Sequence, residues 1–176
     1  MILAQHIQQL NRLRKFFAGR MLMLGDQVNT IGYDFGCEVR TVDIHGKPDF
    51  LVDLTDPEAW KNLGCFRTVF NLGTLEHIFD AAAAYRNVVK ICRQYYVGHH
   101  PVAGWEGHGI HVTSPDAILK FFELNGFKVL DAFTTTQEGE PCMGPVRNCG
   151  KSITLWFAAE KLESVDVIRF PEDLCL

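Results

Sequence analysis

Short apolar runs alternate with helical segments along most of this sequence. Runs such as "MLML" at 21–24 and "FRTVFNL" at 66–72 are almost continuously apolar, which is typical of strands buried on both faces of a parallel sheet. Between such runs lie segments with apolar residues at helical spacing, among them 80–93 and 114–127. The alternation predicts an α/β fold, with a Rossmann-like, mostly parallel sheet that carries helices on both faces.

The predicted boundaries follow from these runs and from the glycine, proline and capping residues between them. Strands are predicted at 21–24, 37–44, 49–54, 66–72, 94–100, 128–135 and 151–161, and helices at 3–18, 57–64, 80–93 and 114–127. No helix separates the last two strands, so we expect an antiparallel C-terminal pair. The first crossover, 26–37, has about the minimum length for a parallel connection, so its helix must be very short.

Composition limits the classes of function. The chain has 176 residues, near the common size of one domain, and we expect a single domain with an N-terminal helix in 1–19, an α/β core in 20–161 and a C-terminal tail in 162–176. The formal net charge is −4 and no segment is strongly basic, which argues against a nucleic-acid partner.

The sequence also predicts a location. No apolar run reaches the roughly 18 residues that a membrane-spanning helix needs, and the N-terminus lacks the apolar centre and cleavage site of a secretion signal. The six cysteines are scattered, and most lie in apolar surroundings. We therefore expect no membrane partner, reduced thiols and a cytoplasmic location.

Polar residues and glycines follow several of the predicted strands. In open α/β sheets ligands bind outside the carboxyl ends of the strands, near the point where the strand order reverses. Residues at such ends here include Gly25, Asp43 and Asp53, together with the segments "NLGTLEH" at 71–77 and "HHPVAGW" at 99–105. The sequence therefore predicts a ligand crevice at this edge of the sheet.

The order of these features resembles that of the class I S-adenosylmethionine-dependent methyltransferases. The resemblance covers roughly residues 18–160: strand–Gly, strand–Asp, strand–Asp, "NLGTLEHI", helix, strand, helix, strand and strand. "TLEH" at 74–77 is similar to the "VLEH" that commonly follows the fourth strand of the family. "HGIHVTSPDAILKFFELNGF" at 108–127 is similar to a segment of bacterial methyltransferase-like proteins, some of which accompany glycan biosynthesis.

The resemblance implies S-adenosyl-L-methionine as cofactor. An acid at the position of Asp43 accepts hydrogen bonds from ribose hydroxyls in nucleoside-binding sheets, although Asp43 could also be a solvent-exposed turn residue. Asp53 is expected near the adenine amino group, unless it caps the next helix, a role that suits Asp56 better. Gly25 would allow close approach of the cofactor, or could only make a tight turn. The predicted cofactor residues are Gly25, Asp26, Gln27, Asp43, Asp53, Leu54, Asn71, Leu72 and Gly73.

Histidines at the predicted crevice are candidates for a general base, because imidazole titrates near neutral pH. His100 and His108 follow the fifth predicted strand, and Glu76 with His77 follow the fourth. Each has a structural alternative: Glu76 and His77 could hold a loop together, and the other two could serve in packing. No HxxxH or CxxC pair is present, and Cys142 and Cys149 are loosely spaced for zinc, so no metal is predicted.

The function predicted is S-adenosylmethionine-dependent methyl transfer to an oxygen or nitrogen of a small molecule or sugar. The short chain leaves little room for an acceptor domain, so the expected partner is a small-molecule or glycan acceptor. The alternative is a degenerate accessory or interaction protein without catalysis. The segment after the first strand has fewer glycines than is usual in the family, and the first crossover is short; both features favour this alternative. A third hypothesis is another reaction of the sulfonium cofactor. The loop 133–152 could cover the site or make contacts in a homodimer.

Overall fold

The computed structural model describes residues 6–25, 32–105, 107–142 and 152–171. Its helices and strands follow the predicted order. They are α1 (Ile7–Leu13), β1 (Arg20–Leu24), β2 (Glu38–Asp43), β3 (Phe50–Leu51), α2 (Pro57–Lys61), β4 (Phe66–Leu72), α3 (Ala81–Ile91), β5 (Cys92–Ala103), α4 (Pro115–Leu124), β6 (Phe127–Thr136) and β7 (Ile153–Lys161).

The strands form one sheet in the order β3-β2-β1-β4-β5-β7-β6. Strands β1 to β5 pair in parallel, and β7 runs antiparallel to both β5 and β6. The predicted mostly parallel sheet and its antiparallel C-terminal pair are therefore confirmed. The chain first builds outwards from β1 to β3 and then returns to add β4 on the other side of β1. The strand order consequently reverses between β1 and β4, which is where a ligand crevice is expected.

Apolar side chains cover both faces of the sheet. On one face α2, α3 and α4 pack over the sheet, with Phe121 and Phe122 of α4 almost completely buried. On the other face Leu10 and Leu13 of α1 pack against Met21 and Trp156. Burying one such large side chain contributes about 1.5–3 kcal/mol, so the two apolar layers fix the sheet and hold its carboxyl edge in place.

Two helix starts agree with the sequence. The Ser114 hydroxyl accepts a hydrogen bond from the backbone N–H of Ala117, and Pro115 occupies the first helical position of α4. The Asp80 carboxylate accepts one from Ala83 at the start of α3. These caps satisfy backbone donors that would otherwise lack partners.

Several boundaries differ from prediction, three of them for a clear structural reason. In the described part of the first helix, α1 ends at Leu13 and a 3-10 turn over Arg14–Phe16 follows. Strand β3 pairs over two residues only, because it is an edge strand that contacts β2 alone. Strand β5 begins directly at Cys92 and is longer than predicted, since it pairs with β4 on one side and β7 on the other. Within the described ranges, no helix has the length and apolar character needed to cross a membrane.

The described cysteines differ strongly in exposure. Cys37, Cys65, Cys92 and Cys142 are free thiols; Cys65 is exposed and Cys92 is buried. Cys149 and Cys175 lie outside the described residues. Burial raises the pKa of the Cys92 thiol to about 12. Because the thiolate is the reactive form, we expect Cys65 to be alkylated quickly in the folded protein and Cys92 only after unfolding. Peptide mass spectrometry before and after denaturation measures this, and rapid labelling of Cys92 in the folded protein would contradict it.

Candidate functional site

A cavity of about 720 Å³ opens at the carboxyl ends of β1 and β2 and beside the segments that follow β3 and β4. Ligand pockets commonly measure about 300–1,000 Å³, so its size suits a nucleoside-sized molecule. Five of the predicted cofactor residues line it: Gly25, Asp43, Asp53, Leu54 and Gly73. Asp26 and Gln27 lie outside the described residues.

Glycine conformation shapes the floor of the cavity. Gly25 follows β1 with a φ of 87°, and its N–H donates to the Val42 carbonyl oxygen at 2.8 Å. Gly73 follows β4 with a φ of 75°, and a Cβ built there would lie 3.1 Å from Oε1 of Glu76. Residues other than glycine adopt such positive φ angles at a cost. The chain therefore turns sharply away from the sheet at both positions and leaves the space above the strand ends open.

Two predicted acids lie on the cavity wall in local turns. Oδ1 of Asp43 accepts a hydrogen bond from the backbone N–H of His45 at 3.1 Å. Oδ1 of Asp53 accepts from both the N–H and the hydroxyl of Thr55, each at 2.8 Å. Asp56 caps α2 by accepting from the N–H of Glu58, as the sequence indicated. The cap role is therefore taken by Asp56, and Asp53 remains at the cavity.

Asn71 and Leu72 do not line the cavity. The buried Asn71 amide donates from Nδ2 to the His99 carbonyl oxygen at 3.0 Å. Its Oδ1 accepts from the N–H groups of Thr74 and Leu75 at 3.1 and 3.2 Å. Leu72 is buried in the apolar layer beneath α1. The Asn71 side chain thus supports the turn after β4, and the Leu72 side chain belongs to the core. Contact of their backbone with the cofactor stays a prediction.

His100 lies in the core and does not line the cavity. It is 3 % exposed, and its ring nitrogens lie 3.3 Å from the hydroxyl of Tyr85 and 3.0 Å from that of Tyr96. Its ring also stacks on Phe157 with centroids 5.7 Å apart. Burial lowers the pKa of His100 from 6.5 to about 3. This placement corrects the hypothesis that His100 takes a proton from the acceptor, because the side chain is buried between the sheet and α3.

Glu76, His77 and His108 come together beside the cavity. One carboxylate oxygen and one ring nitrogen from each histidine lie within 4.8 Å of one another. The rings of His77 and His108 have centroids 5.0 Å apart. Glu76 is 5 % exposed, and burial raises its pKa from 4.5 to about 7. Partial burial and the nearby charge of His108 lower the pKa of His77. We call these three residues the Glu–His–His cluster.

The backbone holds the Glu–His–His cluster together. The Glu76 carbonyl oxygen accepts from the N–H groups of Ile110 and His111 at 2.7 and 3.1 Å. A Cβ at Gly109 would lie 2.9 Å from that oxygen, so only glycine permits this approach of the loop. Trp105 anchors the other end of the loop by donating from Nε1 to the Ile153 carbonyl oxygen at 2.8 Å, and its ring packs on His108. Trp105 therefore anchors the loop.

Several cavity residues were not predicted. Beyond the predicted set, the wall includes Ile44, His45, Thr55, Thr74, Ile78, Phe79 and Asp80. Phe79 is 85 % exposed, an unusual position for a phenylalanine. The segment "NLGTLEHIFD" carried the relevant signal, since it places apolar residues among polar ones just after a strand. Among the described wall residues there are three carboxylates and no lysine or arginine, so the wall favours a ligand with positive charge.

The strand order is that of the class I methyltransferase fold. The chain is similar to the N-methyltransferase NodS from Bradyrhizobium japonicum WM9, solved with S-adenosyl-L-homocysteine, at a TM-score of 0.63 and 11 % identity over 92 % of this chain and 90 % of that one. It is also similar to magnesium protoporphyrin IX methyltransferase from Synechocystis PCC 6803 with bound S-adenosylhomocysteine, at a TM-score of 0.61 and 14 % identity over 89 % and 84 %.

A third similar structure is an enzyme of another kind. The [4+2]-cyclase SpnF matches at a TM-score of 0.60 and 13 % identity over 88 % of this chain and 81 % of that one. No protein-family model matches the sequence, and no curated protein matches it. At these identities the structural likeness establishes the fold alone, and the reaction has to be argued from the residues of the site.

Proposed function

We propose that this protein is an S-adenosylmethionine-dependent methyltransferase that acts on an oxygen or nitrogen of a small molecule or sugar. The observation that carries the proposal is the acid-lined cavity at the reversal of strand order, with Asp43 at the end of β2. An acid at that position suits a ribose diol. The similar structures that hold S-adenosylhomocysteine support the same cofactor.

The residues present fit the proposed cofactor. The carboxylates of Asp43 and Asp53 can accept hydrogen bonds from ribose hydroxyls and from an amino group, and Ile44 and Phe79 offer apolar surface to a purine. The sharp turn at Gly73 leaves space beside the end of β4. A cationic, nucleoside-containing molecule therefore meets complementary charge and shape.

The reaction needs alignment and removal of a proton. When bound, S-adenosylmethionine supplies a sulfonium methyl group, which passes to the acceptor's lone pair while the electrons of the broken carbon–sulfur bond remain on sulfur. The Glu–His–His cluster lies beside the cavity and carries three titratable groups. We place the acceptor at this cluster, where Glu76, His77 and His108 assist loss of its proton. Holding the two reactants in line supplies much of the rate enhancement.

Calorimetric titration with S-adenosylhomocysteine tests the cofactor assignment. We expect one molecule to bind per chain and to stabilise the folded state by about 2.7 kcal/mol at a concentration 100 times the dissociation constant. The melting temperature should rise accordingly in a thermal scan. A protein that binds neither S-adenosylhomocysteine nor S-adenosylmethionine would contradict the proposal.

Binding alone does not separate an enzyme from a degenerate accessory protein. Transfer of a labelled methyl group to a panel of hydroxyl- and amino-bearing small molecules and glycans does so. We expect labelled product from at least one acceptor class. Tight binding of the cofactor with no transfer to any member of the panel would favour the accessory role.

A further inference from the structure

We propose that Glu76, His77 and His108 bind a divalent transition-metal ion such as Zn²⁺, and that this ion takes an oxygen of the methyl acceptor. The sequence predicted no metal, because it has no HxxxH or CxxC pair and Cys142 and Cys149 are loosely spaced. His108 is also remote from Glu76 and His77 along the chain. The tertiary structure brings one donor atom from each side chain within 4.8 Å of the other two. Metal binding is independent of the proposed function, whereas the role for the acceptor rests on it.

The donor set suits a particular class of ion. Two imidazole nitrogens and one carboxylate oxygen favour Zn²⁺, Co²⁺ and similar ions over Mg²⁺, which prefers oxygen ligands. Three protein ligands also leave at least one coordination position for another molecule, as in catalytic zinc sites. His77 lies on the cavity wall, so an open position would face the region where the acceptor is proposed to bind.

Little movement is needed to bind the ion. An ion about 2.1 Å from each donor in tetrahedral geometry places the donor atoms about 3.4 Å apart. The three donor atoms now lie within 4.8 Å of one another, so they would have to approach by at most roughly 1.4 Å. His77 and His108 are exposed, so their side chains can rotate to close this gap. Glu76 is held in place by burial and by the contacts of its backbone with the loop at 107–111.

The Glu76 carboxylate gives independent support. Its Oε2 atom is buried and has no hydrogen-bond partner among the described residues. Such an oxygen costs free energy unless a ligand satisfies it. The rival partner is a water molecule in the small space of about 10 Å³ that Glu76 shares with Tyr85 and His100. If a water molecule bonds to the carboxylate, His77 and His108 are not needed to satisfy it. The two explanations therefore predict different metal affinities for variants of these histidines.

The ion would explain how an acceptor hydroxyl loses its proton. A hydroxyl coordinated to a divalent ion is more acidic, so its proton can pass to water at neutral pH. The lone pair left on oxygen would then form the bond to the methyl group, while the bond between the methyl carbon and the sulfur of the cofactor breaks and its electrons remain on sulfur. The acceptors that fit best are therefore those with a hydroxyl group, or two neighbouring oxygens, that can reach the ion.

Cobalt titration of the chelator-treated, untagged full-length protein tests metal binding without cofactor or acceptor. We expect about one equivalent of Co²⁺ to bind with an absorption spectrum typical of nitrogen and oxygen ligands, and Zn²⁺ to displace it. Glu76→Gln and His108→Ala should each weaken binding by at least about 100-fold, since even supporting residues commonly contribute 10- to 100-fold. Glu123→Gln, which changes an exposed glutamate of α4 outside the cluster and the cavity wall, should bind like the wild type.

Several results would overturn the proposal. Absence of binding would do so, as would wild-type affinity in both Glu76→Gln and His108→Ala. A thiolate charge-transfer band would assign the ion to cysteines instead. Circular dichroism and melting temperatures of the variants establish that lost affinity does not reflect unfolding.

Acetohydroxamate tests the open coordination position. This small oxygen chelator should change the cobalt spectrum while the ion stays with the protein after ultrafiltration. An unchanged spectrum would mean a closed site and would overturn the role for the acceptor. Because these measurements contain no S-adenosylhomocysteine, failure of the cofactor to bind would count against the proposed function and leave the metal site standing.

Discussion

Replacing Asp43 by alanine is expected to weaken binding of S-adenosylhomocysteine by about 10- to 150-fold, equivalent to about 1.5–3 kcal/mol for the loss of charge-assisted hydrogen bonds. Asp43 ends β2 on the wall of the cavity, and its side chain is half-buried there. Partial burial strengthens a hydrogen bond between a carboxylate and a ribose hydroxyl, because water competes less well.

A matched control is available for this prediction. Asp34 is an exposed aspartate that precedes β2, so it lies toward the opposite edge of the sheet from Asp43. Asp34→Ala should leave the affinity for S-adenosylhomocysteine unchanged in the same calorimetric titration. Equal affinities for the wild type and Asp43→Ala, with both proteins folded, would show that Asp43 does not contact the cofactor.

His100→Ala is expected to lower the free energy of unfolding by about 3–5 kcal/mol, because it creates a cavity in a packed core and removes a hydrogen-bond partner from buried groups. The hydroxyls of Tyr85 and Tyr96 both contact the His100 ring. Affinity for S-adenosylhomocysteine should be retained at temperatures where the variant is folded, since His100 does not line the cavity. His100→Gln, which retains hydrogen-bonding atoms, should recover part of the lost stability in denaturant titrations.

Replacing His100 also changes how the free energy of unfolding depends on pH. The folded protein keeps His100 neutral down to its pKa of about 3, while an unfolded histidine takes up a proton near 6.5. Below pH 6.5 the unfolded chain therefore binds more protons at His100 than the folded protein does. The contribution of His100 to the free energy of unfolding then falls by up to about 1.4 kcal/mol per pH unit until pH 3. Groups that face His100 are Tyr85 from α3, Tyr96 from β5 and the amide of Asn71 from β4.

Denaturant titrations at several pH values isolate this effect. The difference in unfolding free energy between the wild type and His100→Gln should be constant above pH 7 and should change in favour of the variant as the pH falls toward 4. An exposed histidine serves as the control: His45→Ala should change stability by less than about 0.5 kcal/mol at any pH. Parallel pH curves for the wild type and His100→Gln would contradict the buried, neutral state of His100.

Much of the site could be predicted because it depends on strand order. The apolar runs identify the parallel strands, and all carboxyl ends of parallel strands meet at one edge of a sheet. Gly25 and Gly73 directly follow strands, Asp43 ends β2 and Asp53 lies two residues after β3, so their meeting at the cavity needed little knowledge of loop conformation. Leu54 follows Asp53 and lines the same wall.

Residues one position apart in a strand were harder to assign. His99 and His100 are neighbours in β5, and successive side chains of a strand point to opposite faces of the sheet. His99 contacts Trp156 on the face covered by α1, whereas His100 contacts Tyr85 on the face covered by α3. The sequence marks both as polar residues at the end of a strand and does not say which faces a ligand.

Long-range contacts also lay beyond the sequence. Part of the tail, which has a weak pattern, packs on the helices: the Asn125 side chain donates to the Arg169 carbonyl oxygen and accepts from the Arg169 N–H. Phe170 packs against Phe121 of α4. Strand β7 lies between β5 and β6, although the sequence indicated only that β6 and β7 pair.

The sequence by itself determined the class of fold, the order of the strands and helices, the caps of two helices and the acids at the carboxyl edge, because these depend on local periodicity and on the residues that begin and end each element. Only the tertiary structure decided that His100 is a core residue, that Asn71 supports a turn, and that His108 joins Glu76 and His77. The last association depends on the fold of the loop at 107–111, where Gly109 lets the chain approach the Glu76 carbonyl oxygen. Contacts of this kind join residues far apart in the chain through a single close approach, which no periodic pattern encodes.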